Sequence, residues 1–191
     1  MILHPITPRN NRFGLRSLSS LGGDRLAAIL GGRLDDGYHY FHKVTPAGTT
    51  EIETIVVGPG GTWTVLRAGL QGRFRKRNGH WYRWNRSTDS WIPWDAKAVN
   101  EARLAGHRLE LYLERATQPA AVEAVLVPDS GMEVSWERDQ APGILVEGDL
   151  ERLASRIIRD EVLTPAQVDR IVGLLDPRQP LPRLATSSPQ G

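Results

Sequence analysis

From Ser20 onward apolar residues recur at helical spacing. In SSLGGDRLAAILGGRL, Leu26, Ala27, Ile29, Leu30 and Leu34 fall on one side of a helix, with Asp24 in its first turn. A carboxylate in that turn is stabilised by the helix dipole whatever else it does. After Asp35-Asp36-Gly37 the period shortens to two. Tyr38, Tyr40 and His42 alternate with His39 and Phe41, which predicts a strand. The runs IETIVV and TWTVLRA are nearly continuous in apolar residues and are joined by Gly58-Pro59-Gly60-Gly61. They read as a hairpin of central strands covered on both faces.

A second hairpin follows in GRFRKRNGHWYRW, where Asn78-Gly79 sits between alternating residues. A two-residue turn there pairs Arg77 with His80, Arg75 with Tyr82 and Arg73 with Trp84, and these six share one face. Phe74, Lys76, Trp81 and Arg83 share the other. STDSWIPWD reads as a turn-rich loop, with Trp63, Trp91 and Trp94 assigned to core or loop packing. Residues 97–114 form a long helix whose marked face is Ala98, Ala102, Ala105, Leu109, Tyr112 and Leu113. AAVEAVLVPDSG predicts a short buried strand, and PGILVEGDLERLASRIIRDEV a strand followed by a helix. A final helix opens at Thr164-Pro165, with Gln167 completing a capping box. Helices over a mixed central β-sheet, an α/β fold with an added β-hairpin, are the expected packing. Residues 1–18 read as a flexible N-terminal arm, 19–175 as one domain, and the Pro- and Ser-rich 176–191 as a disordered tail.

Charge changes this picture in one place. The net charge is only +2, yet no acid occurs between Thr54 and Thr88, where Arg67, Arg73, Arg75, Lys76, Arg77, Arg83 and Arg86 all fall. A segregated basic stripe is the footprint of a polyanion partner, or else a solvated surface hairpin. The absence of cysteine excludes disulfides, thiolate catalysis and cysteine-based zinc sites, and fits a reducing compartment. With no apolar run of signal-peptide or membrane-span length, the expected location is the cytoplasm, without a membrane partner. The histidines lack ligand spacing: His39 and His42 face opposite sides of their strand, and His80 adjoins a turn.

Three segments together, GGDRLAAILGGRLDDGYHYFHKV, IETIVVGPGGTWTVLRAGLQGRF…GHWY and KAVNEA, resemble the nuclease-related domain (NERD) family, over about Leu21 to Leu175. The resemblance implies a restriction-endonuclease-like PD-(D/E)xK core. It also implies where the family's chemistry falls. Its Gly-Glu helix opening corresponds to Gly23-Asp24, and its metal-binding aspartate to Glu53. Its E-x-K strand falls on Leu66-Arg67-Ala68. Its N-P-x-x-Q-A helix start is KAVNEA, with Lys97, Ala98 and Glu101 in place of Asn, Pro and Gln. Phosphodiester hydrolysis needs a divalent metal to polarise the phosphoryl group and activate water. Leu66 offers no oxygen ligand, and Ala68 cannot orient water or neutralise charge as lysine does. Catalysis is therefore not expected, and Asp24, Glu53, Leu66, Ala68 and Glu101 are remnant positions.

Glu51 and Glu53 share a strand face and, with Asp24, are the remaining candidates for a metal site; magnesium or manganese enters only if they form one. Otherwise no cofactor is expected. The candidate nucleic-acid-binding residues are Arg67, Arg73, Arg75, Arg77, Tyr82, Arg83, Trp84 and Lys97, since guanidiniums neutralise phosphates while rings stack on bases. Three functions stay open: an inactive nuclease-like domain that binds DNA, a protein-interaction module on the same fold, and a metal-dependent nuclease with a non-standard carboxylate site.

Overall fold

The protein is seen in a computed structural model that describes residues 1–4, 25–46, 50–69, 71–118, 121–128, 132–136 and 145–176. In chain order its elements are β1 (Ile2–His4), α1 (Arg25–Gly31), β2 (His39–Val44), β3 (Ile52–Gly58), β4 (Gly61–Ala68), β5 (Gly72–Arg77), β6 (His80–Asn85), β7 (Ser90–Pro93), α2 (Lys97–Arg115), β8 (Val122–Pro128), β9 (Met132–Trp136), β10 (Leu145–Val146), α3 (Leu150–Ile157) and α4 (Pro165–Leu175). Among the described residues the strands make two mixed sheets, ordered β1-β2-β3-β4-β8-β10 and β7-β6-β5-β9. The architecture is α/β, with helices flanking a central mixed sheet.

In the larger sheet β2, β3 and β4 pair antiparallel, while β8 joins β4 in parallel and β10 joins β8 in parallel. The near-continuous apolar runs of β3 and β4 do lie between two helical layers. Val56, Trp63 and Val65 point to α1 and α3, packing with Leu26, Leu30, Leu153 and Ile157. Ile55 and Val57 point the other way, to α2 and α4, packing with Leu109, Leu113, Val168 and Ile171. On α2 the buried stripe is Val99, Ala102, Gly106, Leu109 and Leu113. It is thus turned slightly from the expected face: Gly106 is central because a Cβ there would come within 2.9 Å of the Ala124 Cβ.

The Gly58–Gly61 turn ties the layers together. A Cβ at Gly60 would lie 1.5 Å from the Ile157 carbonyl oxygen, and one at Gly58 would fall on the Tyr38 ring. The Pro59 carbonyl accepts from the backbone N–H groups of Val162 and Leu163, at 2.8 and 3.0 Å. Helix α4 then starts with the expected capping box of Thr164 and Gln167. Asp149 caps α3 by accepting from the N–H groups of Glu151 and Arg152.

Two features correct the sequence-based expectation. Residues 2–4, placed in the arm, form β1 and pair in parallel with His39–Phe41. The added hairpin, β5 and β6, is the centre of a four-stranded sheet, with β7 on one side and β9 on the other. β7 lies in the supposed loop STDSWIPWD; β9 lies in a segment given no element. Both are short; β7 is held by pairing to β6, whereas β9, Met132-Glu133-Val134-Ser135-Trp136, alternates apolar with polar residues. The rest of the arm and the tail from residue 177 lie outside the described residues.

Across the β1–β2 pairing, His4 Nε2 and His39 Nδ1 share a hydrogen bond of 3.0 Å, and the His4 ring stacks on Phe41 at 4.1 Å. Burial lowers the His39 pKa; Asp169 pulls it back up, and the N-terminal ammonium pushes it down. The native state therefore takes up this proton less readily than the unfolded chain. The associated stability is complete above the unfolded histidine pKa, about 6.5, and declines as pH falls below it. Urea midpoints measured between pH 7.5 and 5.5 should fall for the wild type and fall less for His39→Asn. Gly60→Ala should lower stability by about 3 kcal/mol, read as a lower urea midpoint with an unchanged m-value.

Candidate nucleic-acid interface

Asn78 and Gly79 both have positive φ, 49° and 78°, which gives β5 and β6 a two-residue turn matched to strand twist. The register is the expected one: Arg77 opposite His80, Arg75 opposite Tyr82, and Phe74 opposite Arg83. One face of this sheet packs inward. Phe74 is fully buried with Ala68, Val99, Ala102, Leu126 and Met132, and lies 4.6 Å from the Trp94 ring. The second sheet therefore sits over the first half of α2 and the ends of β4 and β8.

The opposite face carries Arg73, Arg75 and Arg77 on the central strand. Tyr82 and Trp84 follow on β6, and Trp91 on β7 lies directly across from Trp84. The Arg75 guanidinium lies 4.3 Å from the Trp91 ring centre and 5.7 Å from that of Tyr82. Arg73 is 5.6 Å from Trp84 and 6.0 Å from Trp91, and the two indoles meet edge-on at 5.2 Å. Stacked guanidiniums keep their in-plane N–H donors while the rings hold them in place. On the far side Glu133 of β9 reaches Arg73 at 3.7 Å, with both groups largely exposed.

Trp91 is the residue that the sequence reading missed. Its segment reads as a turn-rich loop, and only its pairing with Trp84 brings it onto the arginine face. Trp63 and Trp94 are packing residues: Trp63 is buried and donates to the Gly60 carbonyl at 3.0 Å, and Trp94 contacts Phe74 and Trp81. Three predicted binding residues lie off this face. Arg83 is on the Phe74 side, 6.0 Å from that ring. Lys97 opens α2 and reaches Glu101 at 3.7 Å. Arg67 is exposed on the α1–α3 side of the main sheet, lining a cavity of about 660 Å³ with Arg25, Gln71, Asp149 and Glu151.

Several of the positions that the resemblance singles out lie elsewhere, on β3, β4 and α2. The β3–β4 register sets Glu53 opposite Leu66, and the Glu53 carboxylate accepts from the Arg67 N–H at 3.4 Å. Glu51, Glu53, Leu66 and Glu101 line one cavity of about 410 Å³ against α2. Ala68 is buried on the same strand face as Leu66. Asp24 lies outside the described residues. Among the described residues no three His, Asp or Glu side chains are placed to hold one metal ion. Leu66 presents a hydrocarbon to this cavity and supplies no oxygen ligand.

Comparison with protein-family models, curated proteins and solved structures returns no match. The likeness to nuclease-related domains therefore stands on the quoted residues. No helix among the described residues is long and apolar enough to cross a membrane.

The stacked array makes an energetic prediction. Trp91→Ala should destabilise the protein by about 1–3 kcal/mol. A double-mutant cycle with Arg75→Ala, followed by urea unfolding, should show a coupling of about 0.5–1 kcal/mol.

Proposed function

We propose that this protein is a catalytically inactive, nuclease-like domain of the cytoplasm that binds DNA through the exposed face of its second sheet. The observation that carries the proposal is the row Arg73, Arg75 and Arg77 set beside Tyr82, Trp84 and Trp91. It supplies cations for the phosphate backbone and ring faces for unpaired bases on one surface. Single-stranded or branched DNA is the favoured ligand, because a duplex hides the base faces that rings can stack on.

The inactive half of the proposal is supported by the chemistry of the remnant positions. Glu53, Leu66 and Glu101 line one cavity, which is compatible with the position-by-position resemblance. Leu66 and Ala68 then provide neither the second oxygen ligand nor the ammonium that hydrolysis calls for. The chain's own residues thus hold a strand pair and a helix start in place without the donors that would turn them to chemistry.

Labelled single-stranded, duplex and forked DNA, each with and without manganese, would test both halves when scored for retardation and for cleavage. Retardation without cleavage is expected, strongest for single-stranded or forked DNA. Arg73→Ala/Arg75→Ala/Arg77→Ala should weaken binding and make the slope of log K against log salt shallower, by about 0.7 per lost contact on single strands. Binding that survives this triple change would remove the sheet face from the interface. Manganese-dependent cleavage abolished by Glu53→Gln would overturn the inactive assignment.

A further inference from the structure

One end of the second sheet holds a cationic cavity that adjoins the open arginine face and shares Arg73 and Trp84 with it. It measures about 470 Å³ and is lined by Arg73, Arg83, Trp84, Arg86 and Ser87, together with Gly72 and its neighbours. The β5–β6 pairing explains the convergence. Arg73 and Arg83 belong to opposite faces of the sheet, but the strands end here, and both residues line the cavity. Arg86 is added by the turn that follows β6. Gly72, with φ of 112°, carries no side chain into the space; a Cβ there would stand 3.9 Å from the Arg83 Nε.

The charge in this cavity is weakly compensated. Glu133 is 3.7 Å from Arg73, at the exposed side. Arg83 lies over the Phe74 ring, and neither it nor Arg86 has an ion pair among the described residues. Asp89 closes the same turn but is not one of the lining residues. Trp84 forms one wall, so a group bound by the guanidiniums would have an indole beside it.

We propose that this cavity binds a terminal phosphomonoester, the phosphorylated end of a DNA strand whose following nucleotides cross the Arg73–Arg75–Arg77 face. The inference rests on the DNA-binding proposal and adds to it which part of the strand is recognised. An internal phosphodiester carries one charge. A monoester carries about 1.5 to 2 charges at neutral pH and three acceptor oxygens. The monoester therefore gains more than an internal phosphate from several guanidiniums at once, through additional charge-assisted hydrogen bonds.

The test uses three otherwise identical single-stranded oligonucleotides, internally labelled, with a 5′-phosphate, a 3′-phosphate or neither. Affinity is read by fluorescence anisotropy, with a free nucleoside monophosphate as a competitor. One of the two phosphorylated strands should bind about tenfold tighter than the strand with neither. Arg86→Ala should erase that gain, leave the unphosphorylated strand bound as before, and leave the near-ultraviolet circular dichroism of the tryptophans unchanged. Equal affinity for all three strands would overturn the cavity assignment while leaving the sheet-face interface standing. Competition by the free nucleotide at the affinity of the phosphorylated strand would overturn it in favour of a nucleotide site. Failure of every strand to bind would overturn both proposals.

Discussion

The backbone of Gly60 runs so close to the carbonyl of Ile157 that any side chain at residue 60 would collide with main chain. Around that contact the chain crosses the end of the β3–β4 hairpin, leaving α3 on one side of the sheet and beginning α4 on the other. The Pro59 carbonyl receives two backbone hydrogen bonds from this crossing, and the Tyr38 hydroxyl reaches the Ile157 carbonyl at 3.4 Å. Both helical layers depend on it. Without α3 the face of Val56, Trp63 and Val65 would lose part of its cover; without α4 the same would hold for Ile55 and Val57. A glycine-rich turn, which alone only reverses a strand, is here the place where the sandwich closes.

The second sheet is stabilised differently. Its inner face buries Phe74 and Met132 against α2 and the main sheet, as an ordinary core does. Its outer face is held by guanidiniums lying over rings, and one charge-charge contact there, Arg73 with Glu133, is exposed and screened. Cation–π contacts of this kind are each worth about 0.5–1 kcal/mol at an exposed site. They place the arginines without neutralising them. The face is therefore ordered and cationic at once, which lowers the entropic cost of meeting a polyanion.

The cavity holding Glu51, Glu53 and Glu101 combines carboxylates with packing residues. Glu53 and Leu66 are cross-strand neighbours, so a carboxylate at 66 would stand beside the one at 53. With leucine there, the strand contributes hydrocarbon to the contact with α2 instead, and Ala68 is absorbed into the same core. The sheet geometry is indifferent to the exchange, because both residue types tolerate a strand.

Local physics made much of the fold legible in the sequence alone. The Asn78-Gly79 turn has one economical backbone solution, which fixes the register of β5 and β6 and so the faces of Arg73, Arg75 and Arg77. The Thr164–Gln167 capping box and the doubly apolar β3 and β4 were readable for the same reason: each depends on residues close together in the chain. Tertiary structure alone decided the rest. β1 and β7 are too short to carry a period, and they exist as strands because a neighbour offers hydrogen bonds. Trp91 joined the arginine face through β7, and Arg83 met Arg73 and Arg86 only where the strands end. Those meetings join residues whose proximity no local pattern encodes. The framework of this protein could thus be read from its sequence, but the composition of its charged surfaces could not.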